Sequence, residues 1–213
     1  MDATRILAIR HGETAWNVDT RIQGHLDIPL NATGRRQAER LARALAAGDT
    51  IHAIYSSDLQ RAFDTAQAIA AATGAPLAAH SGLRERGFGV FEGKTYLEIE
   101  QTWPEESLHW RRRTPHWAPQ GGESLLQVRE RITCTLHELA AQHPGEQIVL
   151  VAHGGVMDQL YRAATGQDLQ APRTWELGNT AINRLLWTPD GLSLVGWADT
   201  SHLDDSTLDE FSA

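Results

Sequence analysis

Two short apolar segments of this chain each end abruptly at a histidine and a glycine. Residues 6–9 run into Arg-His-Gly at positions 10–12, and residues 148–152 run into His-Gly-Gly at positions 153–155. An uninterrupted apolar run of this length is typical of a strand buried on both faces, as in parallel sheets. Such sheets bind ligands beyond the carboxyl ends of their strands, so we expect both histidines at one pocket. An arginine and a small glycine beside a histidine suit a phosphate-like anion.

Helical patterns alternate with these strand-like segments. A further strand is expected at residues 53–56, and apolar residues recur at helical spacing in four segments, residues 33–45, 59–70, 124–139 and 155–166. Strands that alternate with helices predict an α/β fold, a three-layer α/β/α sandwich around a mostly parallel sheet. A hairpin is predicted near the C-terminus, with residues 181–187 against residues 193–198.

The length of 213 residues fits one domain, which we place at residues 1–199. Residues 82–122 interrupt the alternation, because they are rich in Gly, Trp, Arg and Glu and contain several prolines. We interpret them as a small lid-like insertion over one end of the sheet. Residues 200–213 are acidic and polar and predict a loose tail.

Composition narrows the expected partners. The net charge of −8 argues against a broad nucleic-acid surface. No apolar run approaches the roughly 20 residues that cross a bilayer, and residues 1–10 are too short and too polar for a signal peptide. We therefore expect a cytoplasmic protein whose partner is a small molecule, with no nucleic acid and no membrane. The edge of the C-terminal hairpin offers a surface for a homodimer.

Several familiar catalytic patterns are missing from the sequence. The single cysteine, Cys134, forms no intrachain disulfide, and Ala140 stands where a thiol phosphatase loop needs an arginine. Cys134 lies in a helical pattern and is expected to serve in packing. The chain contains no Gly-x-x-x-x-Gly-Lys-Ser/Thr loop, no His-Glu-x-x-His and no Gly-x-Ser-x-Gly, so we expect no metal. Histidine itself is left as the candidate nucleophile.

Residues 7–17 (LAIRHGETAWN) resemble the signature of the histidine phosphatase superfamily, the phosphoglycerate mutase-like proteins. Three later segments follow the family's order. Residues 55–62 (YSSDLQRA) resemble the segment that carries the family's second arginine. Residues 83–85 (LRE) resemble the segment that carries the family's acid, and residues 151–155 (VAHGG) resemble the segment that carries its second histidine. Together these motifs extend from about residue 6 to the hairpin. The resemblance is closer to the short phosphatases than to the longer mutases, and it implies transfer through a phosphohistidine.

The chemistry of phosphoryl transfer gives each of these residues a role. An unprotonated ring nitrogen of His11 attacks phosphorus, and Arg10 and Arg61 hold the phosphoryl oxygens with guanidinium groups that keep their charge. His153 donates to the same oxygens as charge develops. Glu85 supplies the proton that the leaving oxygen needs, and Glu13 is the main alternative carboxylate.

The resemblance also implies substrate contacts. Asn17, Gln23, Gly24 and Gly154 carry over as contacts to the phosphoryl group or the substrate. In the mutases a pair of arginines in the insertion grips a carboxylate or second phosphate. The run Arg111-Arg112-Arg113 is either a solvated basic face or the source of such a pair here, with Arg111 and Arg112 as the candidates. Apolar walls for the substrate are expected from three tryptophans around them, Trp103, Trp110 and Trp117.

The reaction that follows the phosphohistidine depends on the acceptor. Only 68 positions separate Glu85 from His153, which is a short span compared with the long insertion of the mutases. The mutases also carry a tyrosine shortly after the acid and then a lysine, and Phe88 and Tyr96 stand at those places here. A shorter lid admits water, so we favour a phosphatase for small phosphomonoesters, with no cofactor. The alternatives are a phosphoglycerate mutase primed by 2,3-bisphosphoglycerate, or a non-catalytic module that binds a phosphorylated ligand.

Overall fold

The computed structural model describes residues 2–48 and 50–204. Six strands form one sheet in the order β3-β2-β4-β1-β5-β6. The strands are β1 (Thr4–Arg10), β2 (Ala53–Ser56), β3 (Leu77–Ala79), β4 (Gln147–Ala152), β5 (Ile182–Thr188) and β6 (Gly191–Asp199). The first four run parallel to their neighbours among themselves, and β5 joins β1 antiparallel. The mostly parallel sheet and the C-terminal hairpin of β5 and β6 are thereby confirmed.

Helices cover both faces of this sheet. They are α1 (Ala15–Val18), α2 (Ala32–Gly48), α3 (Gln60–Thr73), α4 (Tyr96–Thr102), α5 (Pro104–Arg111), α6 (Leu125–Ala140) and α7 (Gly154–Thr165). Alternate residues of β1 point to opposite faces, so Ile6 packs with residues of α6 and α7 while Leu7 packs with residues of α2 and α3. This is the three-layer α/β/α sandwich that the alternating patterns predict.

The four longer helices begin and end near the predicted positions. Ser124 caps α6, because its hydroxyl accepts the backbone N–H of Gln127 and the Gln127 side chain accepts the backbone N–H of Ser124. Gly74 ends α3 and Gly166 ends α7, each in the left-handed conformation that glycine adopts at little cost. These capping residues set where α6 begins and where α3 and α7 end.

Some features differ from the sequence-based expectations. Cys134 is exposed on α6, so its expected packing role is wrong: the apolar stripe of that helix passes through its neighbours Ile132 and Leu136 instead. The insertion contains two short helices, α4 and α5, that the sequence did not indicate. Residues 201–203 form one 3₁₀ turn, and the carbonyl oxygen of Leu203 accepts a hydrogen bond from Arg40 of α2. The rest of the expected tail, residues 205–213, lies outside the described residues.

No helix within residues 2–48 and 50–204 is long and apolar enough to cross a membrane.

Candidate active site

His11 and His153 lie side by side at the carboxyl ends of neighbouring strands. Arg10 of β1 is in register with Ala152 of β4, and the backbone N–H of His11 donates to the Ala152 carbonyl at 3.0 Å. The two imidazole rings therefore stand with their centroids 5.2 Å apart. The two histidines are neighbours although 142 positions separate them in sequence, and His11 lines the pocket beside them.

The ring of His11 is held in one tautomer. Its Nδ1 lies 2.7 Å from the carbonyl oxygen of Gly12, and since a carbonyl can only accept, Nδ1 carries the hydrogen. Nε2 is then the atom with a free lone pair. Burial lowers the pKa of His11 well below its usual range, and the charges of Arg10 and Arg61 lower it further. His11 is therefore uncharged at neutral pH, as a nucleophile must be.

Two buried arginines flank His11. Arg61, at the start of α3, donates through Nη1 to the carbonyl of Leu26 at 2.9 Å and through Nη2 to that of Gly24 at 2.8 Å. Arg10 donates to the carbonyl of Leu177 at 2.5 Å. The Nε groups of both arginines are buried and have no hydrogen-bond acceptor among the described residues. Burial lowers the pKa of both guanidinium groups, but an arginine keeps its charge at neutral pH. Their unused donors suit the oxygens of a phosphoryl group.

His153 is fully buried at the N-terminus of α7. Neither ring nitrogen has a hydrogen-bond partner in the described part of the chain. Burial, and then the charge of Arg61, hold the pKa of His153 well below its usual range. A neutral imidazole keeps one N–H donor and one acceptor, so His153 can donate to an anion beside His11 without adding a net charge.

Glu85 reaches the same pocket from the turn that follows β3. It lines a cavity of about 160 Å³ together with His11, Arg10 and Arg61. Its Oε1 and Oε2 accept the backbone N–H of Gly155 at 3.0 and 3.1 Å, and Oε1 also accepts the N–H of Arg86 at 2.8 Å. A Cβ on Gly155 would lie 2.2 Å from Oε1, so only glycine allows this approach.

The segment around Glu85 is fastened to α6 by a clamp of two side chains, Arg131 and Glu123. Arg131 donates to the carbonyls of Gly82 and Arg84, each at 2.9 Å, and to that of Glu85 at 3.3 Å. It also pairs with Glu123 at 2.9 and 2.7 Å. Burial alone would raise the pKa of Glu123, but hydrogen bonds from Arg131 and the Gly87 amide outweigh it and lower that pKa. The clamp fixes the backbone on both sides of Glu85.

The other nearby carboxylates have structural partners. Glu13, the alternative acid, accepts a hydrogen bond from the side-chain amide of Asn31 at 2.8 Å, and it does not line the pocket of His11. Glu92 accepts the backbone N–H groups of His25 and Phe88, each at 3.0 Å. Glu98 caps α4 and pairs with Arg21. Among these acids Glu85 alone lines the pocket of His11.

Three of the predicted contact residues, Asn17, Gln23 and Gly24, line the pocket of His11. Asn17 and Gln23 line the pocket of His11, and their side-chain oxygens both accept the hydroxyl of Thr14 at 3.1 Å. The amide nitrogen of Asn17 donates no hydrogen bond to the described residues and is free for a ligand. Gly24 also lines the pocket in a left-handed conformation, with its carbonyl oxygen on Arg61.

A larger cavity of about 590 Å³ opens beside this pocket. The two share five lining residues, Arg10, Asn17, Arg21, Ile22 and Phe88, and Gly154 lines the larger one. A phosphoryl group in the small pocket would therefore have its ester group in the larger cavity. A polar wall faces that space, formed by Arg21, Arg86, Arg113, Asp158, Gln159 and Arg173.

The prediction that Arg111 and Arg112 reach the substrate cavity is wrong. Both are exposed and line neither cavity. Arg111 instead contacts the hydroxyl of Tyr96 and the carboxylate of Glu100. The chain turns where α5 ends, with Arg113 at a φ of +50°, and this turn directs the third arginine of the run into the cavity.

Only one of the three tryptophans of the insertion lies at the large cavity. Trp110 lines the large cavity as expected. Trp103 and Trp117 do not line it; both pack on the buried ring of Phe91, with centroids 5.5 and 5.8 Å away. They form the core of the insertion, because α4 and α5 are too short to reach the core of the sheet.

Sequence reasoning missed two cationic residues of the cavity, Arg86 and Arg173. Neither forms an ion pair with a carboxylate in the described part of the chain. Burial, and then the charge of Arg113, lower the pKa of Arg86 to about 10, so it remains a cation at neutral pH. Its position next to Glu85 was an available signal, whereas nothing in the local sequence marks Arg173.

The described residues contain no group of three or more His, Cys, Asp or Glu side chains arranged to hold a metal ion.

Comparison with known proteins agrees with this geometry. Residues 6–200 match the model of the histidine phosphatase superfamily (branch 1). Phosphoglycerate mutase-like protein 4 of Arabidopsis thaliana is 41% identical over 209 residues, covering 97% of this chain and 90% of the relative. Metal-independent phosphoserine phosphatase of the same plant is 35% identical over 204 residues, covering 95% and 84%.

A solved structure shares the fold. The mycobacterial glucosyl-3-phosphoglycerate phosphatase superposes with a TM-score of 0.83 at 33% identity, covering 93% of this chain and all of that one. Members of this group are phosphatases or mutase-like enzymes. The chain belongs to the histidine phosphatase superfamily, branch 1.

Proposed function

We propose that the protein is a phosphatase that hydrolyses small phosphomonoesters through a phosphohistidine on His11. The observation that carries the proposal is the hydrogen bond from His11 Nδ1 to the Gly12 carbonyl, which leaves Nε2 free beside Arg10, Arg61 and His153. Nε2 attacks phosphorus while the bond from phosphorus to the ester oxygen breaks. The two guanidinium groups and His153 bind the phosphoryl oxygens, and Glu85 gives its proton to the departing oxygen.

The second half of the reaction returns the enzyme to its starting state. Glu85, now a carboxylate, takes a proton from water as the water oxygen attacks the phosphohistidine. The bond from phosphorus to His11 Nε2 breaks, inorganic phosphate leaves, and Glu85 is again protonated. The same carboxyl group therefore serves as acid and then as base.

The cavity beside the pocket favours an organic phosphomonoester of modest size as substrate. Its volume of about 590 Å³ suits a small-molecule leaving group. Two relatives of this chain carry phosphatase names, for phosphoserine and for glucosyl-3-phosphoglycerate. Their names support hydrolysis of a small phosphorylated metabolite.

One observation favours phosphoglycerate mutase as the second candidate. Arg86 and Arg173 line the large cavity without a carboxylate partner in the described residues, and a bisphosphorylated intermediate needs such cations for its second phosphate. A mutase of this family would need 2,3-bisphosphoglycerate as its primer. The third candidate, a binding module without activity, is disfavoured because Arg10, Arg61 and Glu85 line the pocket of His11 and the ring of His153 packs beside that of His11.

The experiment measures phosphate release from a panel of phosphomonoesters beside isomerisation of 3-phosphoglycerate, with and without 2,3-bisphosphoglycerate. We expect sustained phosphate release that is lost in His11→Ala. Isomerisation faster than phosphate release would replace the proposal by the mutase. Binding of phosphorylated compounds with neither reaction would replace it by the binding module.

A further inference from the structure

Residues 21–26, which we call the Gln23 loop, form one wall of the pocket of about 160 Å³. Gln23 and Gly24 both line that pocket. The carbonyl oxygens of Gly24 and Leu26 accept hydrogen bonds from Arg61 at 2.8 and 2.9 Å. Gly24 has a φ of +52°, in the left-handed region that favours glycine. Arg61 therefore holds the loop by its carbonyl groups.

Glu92 of the insertion holds the same loop by an N–H group. Its Oε1 accepts the backbone N–H of His25 and the backbone N–H of Phe88, each at 3.0 Å. The carboxylate lies against the backbone of Gly24, because a Cβ at that position would be 2.1 Å from Oε1. Phe88 lines the pocket as well. One carboxylate oxygen thus joins two parts of the pocket wall that are 63 positions apart in sequence.

Other contacts between the loop and the insertion do not involve Glu92. The backbone N–H of Ile22 donates to the carbonyl of Lys94 at 2.9 Å, and the N–H of Gly93 donates to the carbonyl of Ile22 at 2.8 Å. These two bonds remain when the carboxylate of Glu92 is removed. The insertion should then stay folded on the loop at Ile22, while the part of the loop that lines the pocket loses a support.

Glu92 supplies a charge as well as an acceptor. Burial lowers the pKa of Arg61, and three carboxylates, that of Glu92 among them, act in the opposite direction. Glutamine in place of glutamate keeps a side-chain oxygen and loses the charge, so it separates the two contributions.

We propose that Glu92 is a positioning residue for phosphate binding, because it holds Gly24 and His25 beside Phe88. The inference rests on the proposed function, in which this pocket takes the phosphoryl group. Without the acceptor, two backbone N–H groups lose their partner and the wall moves away from the place where it meets the phosphoryl oxygens. Glu92 acts through the loop and touches no substrate atom.

The test measures the Kd of inorganic phosphate by calorimetry, together with KM and kcat for 4-nitrophenyl phosphate. Glu92→Ala removes the acceptor, and we expect Kd and KM to rise by about 10-fold. Glu92→Gln keeps an oxygen for the two N–H groups, so both constants should stay within about 3-fold of the wild type. Glu105→Ala, at an exposed position of α5 in the same insertion, is the matched control and should change neither.

A purely structural role of Glu92 gives a different pattern. A variant that is partly unfolded contains less active enzyme, so its kcat falls while its Kd and KM stay at the wild-type values. That pattern in Glu92→Ala overturns the proposal. An equal rise of Kd in Glu92→Gln and Glu92→Ala assigns the effect to the charge near Arg61 and also overturns it.

A second variant covers failure of Glu92→Ala to fold. Glu92→Asp keeps the charge and shortens the side chain by one methylene, which draws the acceptor away from both N–H groups. Its Kd for phosphate should rise, and a Kd equal to that of the wild type contradicts the proposal.

Phosphate binding separates this inference from the proposed function. Absence of phosphate release from every ester would contradict the phosphatase, while a raised Kd in Glu92→Ala with a near-normal Kd in Glu92→Gln would still support the positioning role. Normal phosphate release with an unchanged Kd in Glu92→Ala would contradict the positioning role alone.

Discussion

The carboxylate of Glu85 accepts the backbone N–H of Gly155 through both of its oxygens, at 3.0 and 3.1 Å. The contact joins the proposed acid to the first turn of the helix that follows His153. It places the carboxyl group beside the pocket of His11. Several measurable consequences depend on this arrangement.

Glu85→Gln removes the proton donor and keeps an oxygen for the Gly155 amide. An alkoxide needs a proton to leave, so kcat/KM for alkyl phosphates should fall by about 10²- to 10⁴-fold. Nitrophenolate leaves without a proton, and kcat/KM for 4-nitrophenyl phosphate should fall far less. Phosphate release from both esters measures the difference. An equal loss for both would place the acid elsewhere.

Gly155→Ala moves the acid without removing it. The new Cβ would lie 2.2 Å from Glu85 Oε1, the flexible end of a side chain, so the carboxylate must shift while the fold stays. We expect lower rates for alkyl phosphates than for 4-nitrophenyl phosphate, as in Glu85→Gln but smaller. Gly154→Ala is the comparison, since its Cβ would meet Arg10 and Glu85 only at 3.7 to 3.8 Å. The prediction fails if both alanines change the ratio of the two esters alike.

Arg131 acts on Glu85 through the backbone. Arg131→Gln removes the pair with Glu123 and most of the bonds to the carbonyls of residues 82, 84 and 85. We expect a selective loss for alkyl phosphates of about 10-fold or more, with partial rescue by Arg131→Lys. Arg129→Gln, exposed on the same helix, is the control. A uniform loss on all esters would indicate a purely structural role.

The two buried histidines make stability depend on pH. Their pKa values are lowered in the folded protein, chiefly by burial, so below about pH 6.5 the unfolded chain binds more protons than the folded one. The free energy of unfolding should therefore decrease as pH falls through this range, by roughly 1 kcal/mol per pH unit for each histidine.

Urea unfolding at pH 7.5, 6.5 and 5.5 measures this dependence. A double variant, His11→Asn with His153→Asn, lacks both imidazoles and should lose less stability toward acid. The same slope in the variant and the wild type would contradict neutral histidines in the folded state.

Local sequence patterns predicted the strands and the longer helices that position the site. The strands that end in His11 and His153 are uninterrupted apolar runs, and α6 and α7 carry long periodic stripes with clear caps. Strand β3 is three residues long and gives no such signal. Helices α4 and α5 were missed because they are short and are held by aromatic packing on Phe91 rather than by their own periodicity.

The substrate side of the site could not be predicted in the same way. Which arginine of positions 111–113 enters the cavity depends on one turn, where Arg113 adopts a positive φ. Arg173, Asp158 and Arg131 reach the site from separate segments through tertiary packing alone. A motif in the sequence identifies residues that act on the phosphoryl group, whereas the shape of the leaving-group cavity arises only in the folded chain.

The most direct test of the account is to trap the phosphoryl group on the protein. Rapid quenching after mixing with 4-nitrophenyl [³²P]phosphate should yield a label on His11 that is labile in acid and stable in base. Glu85→Gln should accumulate more of it, because the base for hydrolysis is missing, and His11→Ala should carry none. Equal labelling of His11→Ala, or a label on another residue, would contradict the central claim that His11 is the nucleophile.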